Sequence, residues 1–128
     1  MLSVKKKKTI KIARLLGLFL AGELIHQWFS STKVIIKNYG ISFGISGWVF
    51  IFLSIILVVF LTKIWWQNSF KGIDLMVVGG WINLIDRIIF GYVRDYWQIG
   101  RIYNNLADWM IQVGVIIFLS QTWIKKLK

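Results

Sequence analysis

Apolar residues in this chain gather in four runs. The first, about 12–29, is broken by Glu23 and His26, and the second, 45–66 ("ISGWVFIFLSIILVVFLTKIWW"), carries one charge near its end. The third, 72–90, has Asp74 near its start and Asn83, Asp86 and Arg87 near its end; the fourth, 109–124, stays apolar up to the closing lysines. Each is close to the ~17–25 residues that a tilted helix needs to cross the hydrocarbon. Helices also satisfy their own backbone hydrogen bonds, which lipid demands. The pattern predicts a mainly α membrane protein of four transmembrane helices, one membrane-embedded domain over residues 1–128.

Two of the connecting segments have a pattern of their own. "KVIIKNYGISFGI" holds a β-branched run followed by Gly40 and Gly44, the signature of a short strand and turn. "GYVRDYWQI" reads similarly. A small extracytoplasmic β-element is the expectation.

Composition agrees with the membrane reading. At 57% hydrophobic residues and mean hydropathy +0.66, the chain is too apolar for a water-soluble domain of this size. A net charge of +11 suggests nucleic acid until position is considered. Lys5 to Lys8, Lys11 and Arg14 precede the first run, and Lys125, Lys126 and Lys128 follow the last. Charges that bracket spans are topology signals, so no nucleic-acid partner is expected.

Four spans leave both termini on one side. That side collects the nine basic residues just named together with Lys63 and Lys71, eleven in all. Five remain for the other side: Lys33, Lys37, Arg87, Arg94 and Arg101. The positive-inside bias makes the termini cytoplasmic, with segments 30–46 and 91–107 outside. Trp48, Trp65, Trp66, Trp97, Trp109 and Trp123 fall near span ends, where such rings prefer the interface. The basic N-terminus resembles that of a signal peptide, but Glu23 interrupts the run and no A-x-A-like site follows. A retained first helix is expected. Cys is absent, and a single His argues against a zinc site.

The scarce acids are the chemical signal. Of five in the chain, Asp86, Asp95 and Asp108 share the stretch "NLIDRIIFGYVRDYWQIGRIYNNLAD". Asn83, Asp86 and Arg87 are spaced i, i+3 and i+4, on one face of the third helix. An Asp86–Arg87 ion pair at the helix end is the expectation there. Asp95 follows the third span and Asp108 precedes the fourth, so an antiparallel pair of helices brings both to the outer rim. Two close carboxylates share a proton and can act as base on water and acid on a leaving amine. The plainer alternatives remain open: Asp108 as a first-turn acid with Asn104 or Asn105 as cap, and Asp95 as a solvated acid beside Arg94. A Ser–Lys dyad would rest on Ser30, Ser31 and a solvent-exposed Lys33, and no phosphate-binding loop follows "GISFGISG".

At these residues the chain resembles the lipoprotein signal peptidases (signal peptidase II), the aspartic membrane proteases of bacteria. "GGWINLIDR" (79–87) is similar to the family's glycine-rich third helix ending in N-x-x-D-R, and "GYVRD" (91–95) to its G-x-V-x-D. "NNLAD" (104–108) resembles its F-N-x-A-D, and "NYGISFGI" (38–45) its outer N-x-G-x-x-F loop. The resemblance implies Asp95 and Asp108 as the catalytic pair, with Asn38, Asn83, Asp86, Arg87 and Asn105 supporting site or substrate. It implies a prolipoprotein substrate cut just before a diacylglyceryl-modified cysteine, with the peptide cradled by the outer sheet and the lipid left among membrane lipids. No metal or organic cofactor is implied. The expected setting is the bacterial cytoplasmic (inner) membrane, with the site on the outer face and the protein acting as a monomer.

Departures mark a divergent or minimal member. Glu23 and Gln27 stand where the family often has Asp and Lys, and Ile82 where Gly commonly precedes the Asn. Tyr103 or Asn104 replaces the usual Phe, and the segment 96–104 is short. Two rivals are carried: a small dimeric four-helix proton-coupled multidrug exporter using Glu23, and a non-catalytic protein that kept the protease fold.

Overall fold

The computed structural model describes residues 3–40 and 47–126. In chain order it holds α1 (Val4–Thr32), β1 (Ile36–Asn38), α2 (Gly47–Gln67), α3 (Ile73–Phe90), β2 (Val93–Asp95), β3 (Trp97–Ile99), β4 (Ile102–Asn104) and α4 (Leu106–Lys126). The turn expected at Gly44 and the expected start of the second run at Ile45 lie outside the described residues.

Among the described residues, each of the four apolar runs is helical over nearly all its length. α1 begins well before its run because Lys and Arg are good helix formers and Ser3 caps it, its Oγ accepting the Lys6 N–H at 3.3 Å. α2 and α4 are each long and apolar enough to cross a membrane. α2 turns Phe52, Leu57 and Phe60 outward, an apolar surface that water would oppose.

α3 packs against the other three helices. One buried cluster joins Trp65, Ile73 and Val77, and a second joins Val78, Ile82 and Ala107. Gly79 lets α3 and α4 meet backbone to backbone, since a Cβ there would stand 2.5 Å from the Ala107 carbonyl oxygen. The branched Ile82 is accommodated by α1: its Cδ1 lies where only the bare Gly22 leaves room.

Trp65, near the end of α2, turns inward rather than outward. It is buried, and its indole N–H donates to Asp74 Oδ1 at 2.6 Å. Asp74 is in turn paired with Arg14 at 2.6 Å. The indole N–H thus finds its acceptor within the protein. Lys11 closes this end by donating its amine to the carbonyls of Trp65 and Asn68, the last turn of α2 and the residue after it.

At the other end the β-element forms as two antiparallel pairs. β1 pairs with β2, placing Ile36 opposite Asp95 and Asn38 opposite Val93. β3 and β4 make a hairpin with Trp97 opposite Asn104. The hydrophobic pattern offers no strand at 102–104; pairing with β3 creates it.

Candidate active site

Three chain reversals converge on the rim where α3 ends and α4 begins. α3 stops at Gly91, whose left-handed backbone (φ 80°) lets its N–H return to the Arg87 carbonyl. The chain then enters β2, which delivers Asp95. The hairpin returns it to Asn105, the N-cap of α4, whose first turn carries Asp108.

Asp95 is fully buried, yet both its oxygens are occupied. Oδ1 accepts from Asn105 Nδ2 at 3.0 Å and Oδ2 from Asn38 Nδ2 at 2.9 Å. Asp108 is half-buried, with Oδ1 accepting from Asn83 Nδ2 at 2.8 Å and Oδ2 from the Asn105 backbone N–H at 3.1 Å. Asn105 Nδ2 also reaches Asn83 Oδ1 at 3.0 Å. Asp95, Asp108 and the three asparagines expected to support them therefore form one continuous network, with Asn105 touching both acids.

Burial pushes the Asp95 carboxyl up from its ordinary value of 3.8. The hydrogen bond from Asn38 opposes this, the Asp108 charge adds to it, and Asn105 and Arg87 oppose it more weakly. Desolvation wins because a buried carboxylate loses more hydration than two amides return.

Asp86 and Arg87 do not pair as expected. Consecutive residues on a helix point about 100° apart and cannot face each other. Asp86, fully buried, instead binds Arg94, whose Nη2 lies 2.7 Å from Oδ1 and whose backbone N–H donates to Oδ2 at 3.0 Å. His26 Nε2 lies 3.0 Å from the same Oδ2. Arg87 lies within electrostatic reach of Asp108, Asp95 and Asp86. Its Nε is buried without a hydrogen-bond partner among the described residues.

Glu23 joins this network at a distance. Gln27 Nε2 donates to Glu23 Oε1 at 2.7 Å, and Gln27 Oε1 accepts from Arg94 Nη1 at 3.0 Å. His26, Arg94 and Tyr96 were not legible as site residues. The one available signal was a lone ionisable His inside an apolar run, which by default marks function.

A groove of about 280 Å³ borders Asp95, lined also by Ile36, Lys37, Asn38, Tyr39, Gly40 and Tyr103. Beside the hairpin lies an apolar hollow of about 490 Å³ lined by Trp97, Gln98, Ile99, Leu106 and Trp109. Among the described residues, no three His, Cys, Asp or Glu side chains gather as metal ligands do.

Over residues 4–124 the chain matches the family model described as signal peptidase (SPase) II. It is 36% identical to a protein of Bartonella henselae named lipoprotein signal peptidase, covering 71% of this chain and 68% of that one. A protein of the same name from Caulobacter vibrioides is also 36% identical, covering 71% and 63%. The chain thus spans about two thirds of the length of these relatives. A solved bacterial membrane enzyme shares the fold, with TM-score 0.74 at 20% identity over 90% of each chain.

Proposed function

Because the chain belongs to the signal peptidase II family, we propose that it is an aspartic endopeptidase of the bacterial inner membrane. It removes the signal peptide from a diacylglyceryl-modified prolipoprotein just before the lipidated cysteine. One observation carries the reading: Asn105 bonds an oxygen of Asp95 and an oxygen of Asp108 at once.

The pair holds one proton between them, and burial favours Asp95 as its keeper. One carboxylate of the pair draws a proton from water as that water attacks the scissile carbonyl, while the proton the pair already holds goes to the carbonyl oxygen. The tetrahedral intermediate then collapses: its C–N bond breaks, the departing amine takes a proton from the pair, and one of the intermediate's hydroxyls returns its proton to the pair as the new carboxyl forms. Asn38, Asn83 and Asn105 orient the two acids, and Arg87 supplies positive charge beside them. Asp86 anchors the strand that bears Asp95.

The groove along β1 suits an extended peptide, which can add its backbone to a strand edge. The four apolar runs support four membrane-crossing helices, and the excess of basic residues beside the termini supports cytoplasmic termini and an outer site. The exporter alternative finds no support, since the matching relatives are named as signal peptidases.

The test is cleavage of a lipid-modified precursor in vesicles. Asp95→Asn and Asp108→Asn should each abolish it in folded protein, and Glu23→Gln should be milder. Normal cleavage by both Asn variants, with Glu23→Gln inactive, would overturn the assignment.

A further inference from the structure

Behind the two aspartates lies a buried chain of polar groups, two of which, His26 and Tyr96, the proposed hydrolysis does not use. His26 on α1 is fully buried. Its Nε2 lies 3.0 Å from Asp86 Oδ2, and its Nδ1 lies 3.0 Å from the Tyr96 hydroxyl. That hydroxyl already accepts the Leu106 backbone N–H at 2.9 Å, so its own proton is free to go to Nδ1. One ring proton, on Nε2, then serves Asp86, and every donor in the chain has an acceptor. Burial pushes the Tyr96 phenol up to about 12, which keeps its proton in place as a donor.

Each end of this chain grips a segment that bears a site acid. Asp86 Oδ2, which receives His26, also receives the backbone N–H of Arg94, the residue before Asp95. Tyr96 holds Leu106, the first residue of α4, two before Asp108. The imidazole is the piece common to both grips. Both its nitrogens are engaged and no part of it is exposed, so it cannot itself reach a substrate water.

We propose that His26 is a positioning residue for the Asp95–Asp108 pair, setting their separation by tying β2 to the start of α4 through Asp86 and Tyr96. The proposal rests on the two-aspartate reading and brings α1 into the positioning of the site. Displacing catalytic groups by an ångström can cost about a hundredfold in rate. A tie of this kind is therefore expected to act on turnover more than on substrate affinity.

The experiment uses the full chain in vesicles with a lipid-modified precursor. His26→Phe should lower kcat by about tenfold to a hundredfold with KM changed by less than about twofold. His26→Gln and His26→Asn should each recover part of the loss, because each restores a polar atom near one ring nitrogen. Adding Tyr96→Phe to His26→Phe should cost less than the two single losses together, as coupled groups do. A wild-type kcat in folded His26→Phe, or a loss confined to KM, would overturn the proposal.

Ring ¹⁵N spectra of the otherwise native protein provide a readout that does not depend on His26 variants folding. A bare Nδ1 and a protonated Nε2 are expected, with the Nδ1 signal moving in Tyr96→Phe; a protonated Nδ1, or an unmoved signal, counts against it. The two readings also fail separately. Active Asp95→Asn and Asp108→Asn variants would sink the aspartate pair and leave the ring spectrum as expected. A wrong ring spectrum with both Asn variants inactive would sink only the role of His26.

Discussion

Asn105 and Asp108 hold each other through two reciprocal hydrogen bonds. The backbone N–H of Asn105 donates to Asp108 Oδ2 at 3.1 Å, and that of Asp108 donates to Asn105 Oδ1 at 3.0 Å. This capping box starts α4 and in the same stroke orients Asp108. The Asn105 amide nitrogen is left over for Asp95 and Asn83.

Replacing Asn105 should separate its two duties. Asn105→Ala loses the cap and the amide, costing about 1–2 kcal/mol of stability and at least about tenfold in cleavage. Asn105→Ser keeps a capping oxygen but not the amide, so stability should recover while activity stays low. Thermal unfolding in detergent beside the cleavage assay measures both. Full recovery of cleavage in Asn105→Ser would show that the bond to Asp95 is dispensable.

Asp95 should leave a mark on the pH dependence of stability. Its folded value is raised above the ordinary 3.8. Between those two values the folded protein keeps a proton that the unfolded chain releases. Its contribution is therefore complete below the unfolded value and is lost as pH rises through the folded one. The unfolding midpoint should fall with pH across that window, and fall less in Asp95→Asn. Equal slopes in the two proteins would contradict a raised Asp95.

The ion-pair correction is open to a double-mutant cycle. Removing Asp86 or Arg94 alone leaves a buried partner uncompensated and should cost about 3–5 kcal/mol. The double variant should cost less than the sum of the two. Asp86 with Arg87 should be nearly additive, since the two do not touch. Thermal unfolding of the four proteins in each cycle decides; strong coupling in the Arg87 cycle would restore the original pairing.

Gly79→Ala examines the closest approach in the bundle. Its Cβ would meet the Ala107 carbonyl oxygen at 2.5 Å, backbone rather than a flexible side-chain tip. A loss of about 1–3 kcal/mol is expected, together with slower cleavage, because the turn that must move carries Asp108. Gly17→Ala meets nothing within 4 Å and is the control for the glycine change itself. Equal stability of the two variants would remove the case for a tight contact.

The sequence by itself determined the helices and the candidate pair. Four apolar runs became four helices, and the family resemblance of "GGWINLIDR", "GYVRD" and "NNLAD" pointed to Asn83, Asp95, Asn105 and Asp108, which the fold joins in one hydrogen-bonded network. These features are legible because they are local: run length, charge at span ends and short motifs lie within a few residues of one another.

Only the tertiary structure decided which partner each buried polar group takes. Asp86 turned from its neighbour Arg87 to Arg94, Trp65 turned inward to Asp74, and His26 found acceptor and donor 60 and 70 residues away. Helix periodicity relates residues three or four apart and says nothing of such distances. A polar group shut away from water must find some partner, but which one depends on how α1 lies against α3 and the strands, and that is a property of packing.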